Sequence, residues 1–113
     1  MMSSTSNFVE RNPAATKRIL RAVMKSVDFC VSEPEQAARD IVEKGFANNY
    51  ENALQAVTEG RYDTWRDYDP ADSLRFWGLR LQETGVIDVN PNELIARGTD
   101  WRFLNELKRE LKT

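Results

Sequence analysis

Apolar residues recur along this chain at helical spacing, and polar runs separate them. Ile19, Leu20, Val23, Met24, Val27, Cys30 and Val31 fall on one face of a helix. Ala37, Ala38, Ile41 and Val42 make a shorter stripe, which Gly45 closes as a C-terminal stop. A third stripe, Tyr50, Ala53, Leu54 and Val57, ends near Gly60. The fourth holds Leu74, Phe76, Trp77, Leu79 and Leu81 and ends at Gly85. Its apolar residues go nearly all round, so it is expected to be central or pressed against a partner. Leu94 and Ile95 mark a short helix stopping at Gly98. Trp101, Leu104, Leu107 and Leu111 stripe a last one, capped by Thr99 or Asp100. Lys108, Arg109 and Lys112 stand in its final turns, where cations complement the helix dipole.

The four prolines sharpen these boundaries. Asn12-Pro13, Asp69-Pro70 and Asn90-Pro91 each pair a capping residue with proline at the first helical position, where its missing N–H costs nothing. Ser32-Glu33-Pro34-Glu35 reads as a capping box. The only candidate strands are the first few residues and Val86-Ile87. An offset of 57 superposes Pro13 on Pro70 and Pro34 on Pro91. Shared helix-start grammar explains this better than a repeat array, since two copies are too few for a solenoid. The expected fold class is mostly α: about six helices in a single segment spanning residues 1–113, with at most a short N-terminal strand.

Composition narrows the chemistry. A length of 113 residues fits one domain with a modest core. A net charge of −2 argues against a nucleic-acid partner. No apolar run approaches the ~20 residues of a membrane span. The chain has no histidine, which removes Ser-His and Cys-His constellations and the commonest metal ligand. Cys30 is the single cysteine and sits at an apolar helix position, so it reads as a buried thiol rather than a nucleophile.

The densest polar stretch is RYDTWRDYDPADS, residues 61–73. Asp67, Asp69 and Asp72 suggest a calcium loop, but the sixth and twelfth positions counted from Asp67 are Asp72 and Gly78, where an EF-hand needs Gly and Glu. Asp69 is better explained as a helix cap, and Asp72 as a first-turn acid. Tyr62, Trp65 and Tyr68 either line a ligand pocket or pack a long connection onto the helices; packing is the simpler reading. TDWRFLNELKRELKT interleaves basic and aromatic residues, but Glu106 and Glu110 offset the bases and the apolar members keep helical spacing. No catalytic, cofactor or metal residue emerges, and no cofactor is implied.

Three stretches carry a family resemblance: FVERNPAATKRILRAVMKSVDFCVSEPEQAARDIVEKGF, YDPADSLRFWGLRLQETGVI and GTDWRFLNELKRELK. They resemble the C-terminal part of the solute-binding proteins of ABC importers of the nitrate/sulfonate/taurine type. That family includes relatives that bind thiamine-pyrimidine precursors. The similarity runs from about Met1 to Lys112, and the block Gly98-Thr99-Asp100-Trp101-Arg102-Phe103-Leu104 is its most specific part.

The resemblance implies a periplasmic-binding-protein-like (type II) architecture of two α/β lobes, of which this chain would be the helical C-terminal third. Met1 to Thr5 would be the tail of a strand returning to the first lobe. The helices after it would cover that lobe. The family's partners are a small anionic or pyrimidine-like solute and an ABC permease, and its location is periplasmic or extracytoplasmic. Solute contacts in the family come mostly from upstream strand ends and loops, and no position here matches a solute-contact motif. The expectation is therefore a non-catalytic structural segment, unable to bind solute alone, whose ligand-binding residues stay unknown. No export signal precedes Met1, so the chain expressed as it stands would stay cytoplasmic. It would pair with itself or with the missing lobes. The rival expectation is a free-standing helical self-association or protein-interaction module.

Overall fold

The computed structural model describes residues 1–111. Seven α-helices and one 3₁₀ turn make up its regular structure, and no strand occurs among the described residues. The helices are α1 (Ser6–Arg11), α2 (Pro13–Ser32), α3 (Pro34–Glu43), α4 (Tyr50–Glu59), α5 (Pro70–Glu83), α6 (Pro91–Gly98) and α7 (Arg102–Glu110); the 3₁₀ turn is Tyr62–Thr64. The six striped helices are all present. The seventh, α1, follows directly on Met1–Thr5, the expected strand tail, which is not a strand. Thr5 caps it, its Oγ1 accepting from the Phe8 N–H at 3.2 Å. Val86-Ile87 is likewise not a strand but the exit from α5.

All four prolines occupy the first helical turn. Asp69 and Asn90 cap as expected, accepting from the N–H groups of Ala71 and Asn92 at 2.9 Å each. Asn12 does not cap: its Nδ2 donates back to the Phe8 carbonyl at 3.1 Å. The Ser32 capping box is also absent. Ser32 is the last residue of α2, Glu33 is the single non-helical residue before α3, and the Ser32 hydroxyl turns back to the Phe29 carbonyl. Asn12 and Glu33 share one conformation, φ/ψ of −130°/57° and −132°/59°. A proline excludes the α region for the residue before it. One residue therefore breaks the helix, and the proline restarts it at once.

Gly45 and Gly85 end α3 and α5 in the left-handed region, at φ of 78° and 75°. Both ends are Schellman motifs. Gly45 N–H bonds the Val42 carbonyl and Phe46 N–H the Ile41 carbonyl; Gly85 and Val86 repeat this with Gln82 and Leu81. Gly60 differs. It stays right-handed, and the left-handed residue is Arg61, at φ 50°. A Cβ on Gly60 would come within 2.8 Å of the Tyr62 ring, so close packing rather than backbone freedom selects this glycine.

The chain divides into two compact units. The first holds Met1–Arg66 and the chain from Phe103 on. Its core is Met24 of α2, Ala37 and Ala38 of α3, Ala53 and Val57 of α4 and Leu107 of α7. The small residues facing each other on α3 and α4 let this hairpin close tightly. Leu20, Val23, Val27 and Cys30 are half-buried, while Ile19 and Val31 are exposed, so the α2 stripe is only partly covered. The second unit, Asp67–Arg102, is the α5–α6 hairpin, where only Gly78 and Pro91 are buried. Far from being central, α5 leaves Phe76, Trp77, Leu79 and Leu81 exposed. Lys112 lies outside the described residues.

Accessible surface totals 8606 Å². Even two fully separate compact units of these sizes would expose only roughly 7500 Å².

Candidate functional site

The 61–73 stretch does not assemble into a site. Tyr62 stands beside Gly60, Trp65 is half-buried and Tyr68 is exposed in the other unit, its hydroxyl hydrogen-bonded to Ser73. Three of the four acids are used locally. Asp63 pairs with Arg61 at 3.2 Å, Asp69 caps α5, and Asp72 pairs with Arg75 at 2.9 Å. No group of three or more His, Cys, Asp or Glu is placed to hold a metal ion among the described residues.

Arg66 ends the first unit and is held there twice. Its Nη2 donates to both oxygens of Asp28 on α2, at 2.8 and 2.7 Å. Its carbonyl accepts from Lys108 Nζ of α7 at 2.7 Å. A second polar cluster also joins α2 to α7: Lys17 Nζ lies 2.8 Å from Glu106 and 2.6 Å from Glu110, and Arg21 lies 2.7 Å from Glu110. Hydrogen bonds from Lys17 and Arg21 hold the Glu110 carboxyl below its ordinary pKa, and those to Glu106 and Glu110 raise the Lys17 ammonium. The sequence pattern alone makes both Glu residues charge balance on an amphipathic helix; their partners lie about ninety residues away in sequence, beyond any local pattern.

A shallow open depression of ≈ 390 Å³ lies between α3 and α4, lined by Arg39, Val42, Glu43 and Tyr50. The Arg39 guanidinium stands 5.9 Å from the centre of the Tyr50 ring, and 3.9 Å from Glu35. Sequence reasoning did not single out this pair, because its members are on different helices. Lys17, Cys30, Asp100 and Glu110 have displaced pKa values, and all four are elsewhere. Cys30 is half-buried rather than buried, and desolvation pushes its thiol up, away from the reactive thiolate. Asp100 does serve the last helix: its Oδ1 accepts from the Arg102 N–H at 3.1 Å, and its carboxylate pairs with the Arg102 side chain. Thr99 instead donates to the Ile95 carbonyl at the end of α6.

Every buried side-chain N or O among the described residues has a hydrogen-bond partner, so none points to a missing ligand. The most distinctive surface is apolar. Phe76 and Trp77 are 54% and 63% exposed and meet edge to face, ring centres 5.4 Å apart. The Arg80 guanidinium covers the Phe76 ring at 5.4 Å. No helix among the described residues is long and apolar enough to cross a membrane. No family model, curated protein or solved structure matches this chain.

Proposed function

We propose that this chain is a helical structural segment of an ABC-importer solute-binding protein of the nitrate/sulfonate/taurine type. Its role is scaffolding. The helices cover a lobe whose strands, elsewhere in the protein, hold the solute. The reading rests on the resemblance of residues 8–46, 68–87 and 98–112 to that family. The observation that favours it is the uncovered apolar surface. Ile19, Phe29 and Val31 on α2 and four large side chains on α5 lie exposed, as expected of helices shaped to lie on something further. The segment takes part in no bond-making step and holds no solute by itself. In the complete protein its partners are the sheet beneath it and, through the bound lobes, a permease; the setting is periplasmic or extracytoplasmic.

Two measurements test this. Calorimetric titration of the chain with nitrate, taurine, alkyl sulfonates and pyrimidine precursors should give no binding heat; micromolar affinity for any of them would refute the scaffolding role. The genomic locus should encode the companion lobes, or a permease and an ATPase alongside. An isolated gene would instead favour the second reading, a self-associating helical module, which the exposed Phe76–Trp77 pair supports.

A further inference from the structure

We propose that the outward face of α5 is a self-pairing surface: two copies of this chain meet through α5, antiparallel, about a two-fold axis at Phe76. The row Asp72, Phe76, Arg80 carries the inference. Residues at i, i+4 and i+8 lie one above another on a helix face. Gly78, half a turn round the helix, packs on Pro91, so this row faces away from α6. All three side chains are exposed, with Phe76 at their centre.

The order acid, aromatic, base is its own complement when reversed. Under a two-fold axis at Phe76, Asp72 of one copy lies level with Arg80 of the other, and the pair occurs twice. A rise of 1.5 Å per residue places each pair ~6 Å along the helix from the axis. Parallel pairing would set Asp72 against Asp72 and Arg80 against Arg80, so the charges select the antiparallel arrangement. A row of four-residue spacing is also the ridge used in the commonest class of helix packing. Asp72 pairs within its own helix with Arg75 and Arg80 with Glu83, at 2.9 and 3.0 Å, and the Arg80 guanidinium lies 5.4 Å from the Phe76 ring centre; all these contacts are solvent-exposed, and Arg80 swings off the ring as it takes Asp72 of the other copy. Trp77 and Leu79 flank the row on either side and would be covered with it.

Charge order is what favours a second copy over another apolar partner. The contact is small. A 14-residue helix meeting its twin buries less than the ~1200 Å² of a stable specific complex, so dissociation is expected on the order of 10–100 µM. The inference rests on the second reading above, the self-associating module, since the α5 side chains that pair here are among those the importer reading lays against a lobe.

Sedimentation equilibrium on the full chain, from roughly 5 to 500 µM to bracket that range, should show a monomer–dimer equilibrium. Asp72→Arg and Arg80→Asp each place like charges across the axis and should weaken the dimer about tenfold. The double variant D72R/R80D should recover wild-type association. A wild type that stays monomeric throughout overturns the proposal, as does a double variant no tighter than the singles. Cross-linking tests the register without altering a charge. In a Cys30→Ser background, oxidised Phe76→Cys should yield a covalent dimer, while Gln82→Cys, on the α6 side of the helix, should not. Equal cross-linking at both positions would also overturn it. Circular dichroism on every variant confirms that helicity is retained, and if a charge variant unfolds the cross-linking result decides.

Discussion

Gly78 of α5 stands against the ring of Pro91 of α6: a Cβ at position 78 would lie 3.1 Å from the proline Cβ and 3.4 Å from its Cγ. These two residues are the buried contact of the α5–α6 hairpin. Pro91 cannot move aside easily, since it is both a ring and the first residue of its helix. A methyl group at 78 gains about 1 kcal/mol in helix propensity and loses a similar amount in crowding, so Gly78→Ala is expected to be near neutral. Gly78→Leu should lose about 1–3 kcal/mol by forcing the helices apart. Urea unfolding followed by circular dichroism measures both; a leucine variant as stable as wild type would rule out the tight contact.

Arg61 is the non-glycine residue with positive φ among the described residues. Left-handed backbone costs an L-residue roughly 1–2 kcal/mol, part of which glycine returns as unfolded-state entropy. The exposed Arg61–Asp63 pair adds little in compensation. Arg61→Gly is therefore expected to stabilise the first unit by ~0.5–1 kcal/mol. Thermal unfolding checks it, and a lower melting temperature would count against this account. Gly60→Ala should do the opposite, by pushing the Tyr62 ring off its seat.

Leu107 is the fully buried residue of α7, where Phe103 and Leu104 are half-buried and the other face is charged. Truncation to alanine should cost about 2–5 kcal/mol, the range for a buried leucine. Because the ion pairs to α2 are exposed, they cannot substitute for it. Amide exchange should show α7 losing protection before α3 and α4 do. Uniform loss across the first unit would mean that α7 is not separately anchored.

The contact of α2 with α7 should depend on pH at both extremes. Glu110 has a depressed pKa in the folded chain, so its contribution is complete above the unfolded value near 4.5 and is lost as pH falls through the folded one. Lys17 has a raised pKa, so its contribution is complete below about 10.5 and is lost as pH rises through the folded value. Amide protection of α7 should therefore be flat between these limits and fall outside them. Glu110→Gln should remove much of the acid limb. An acid limb unchanged in that variant would place the titrating group elsewhere.

Much of the helical layout was legible because its signals are local. Proline fixes a helix start, and Gly45 and Gly85 fix two ends through left-handed geometry that few other residues adopt. Asn12 and Ser32 misled for the same reason: each has capping chemistry, but its side chain found a carbonyl in the preceding turn instead. The short helix α1 escaped notice because six residues with two apolar side chains make no stripe. Periodicity told which residues share a face, as on α5, but not whether another element arrives to cover that face. The Arg39–Tyr50 pair, the double hold on Arg66 and the Lys17–Glu110 cluster are products of chain folding, with no trace in local spacing.

The single-residue breaks at Asn12 and Glu33 leave this chain without slack. Insert one residue at Glu33 and the direction in which α3 leaves α2 changes, because no loop stands between the two helices to absorb it. Ala37 and Ala38 would be carried out of their places in the core. The connections 44–49 and 84–90 are different, since several non-helical residues can absorb a change in length. Length variation, peptide tags and labelling sites should thus be tolerated after Gly45 and Gly85 and refused at Asn12 and Glu33. A single added glycine at each place would map where this molecule accepts new sequence.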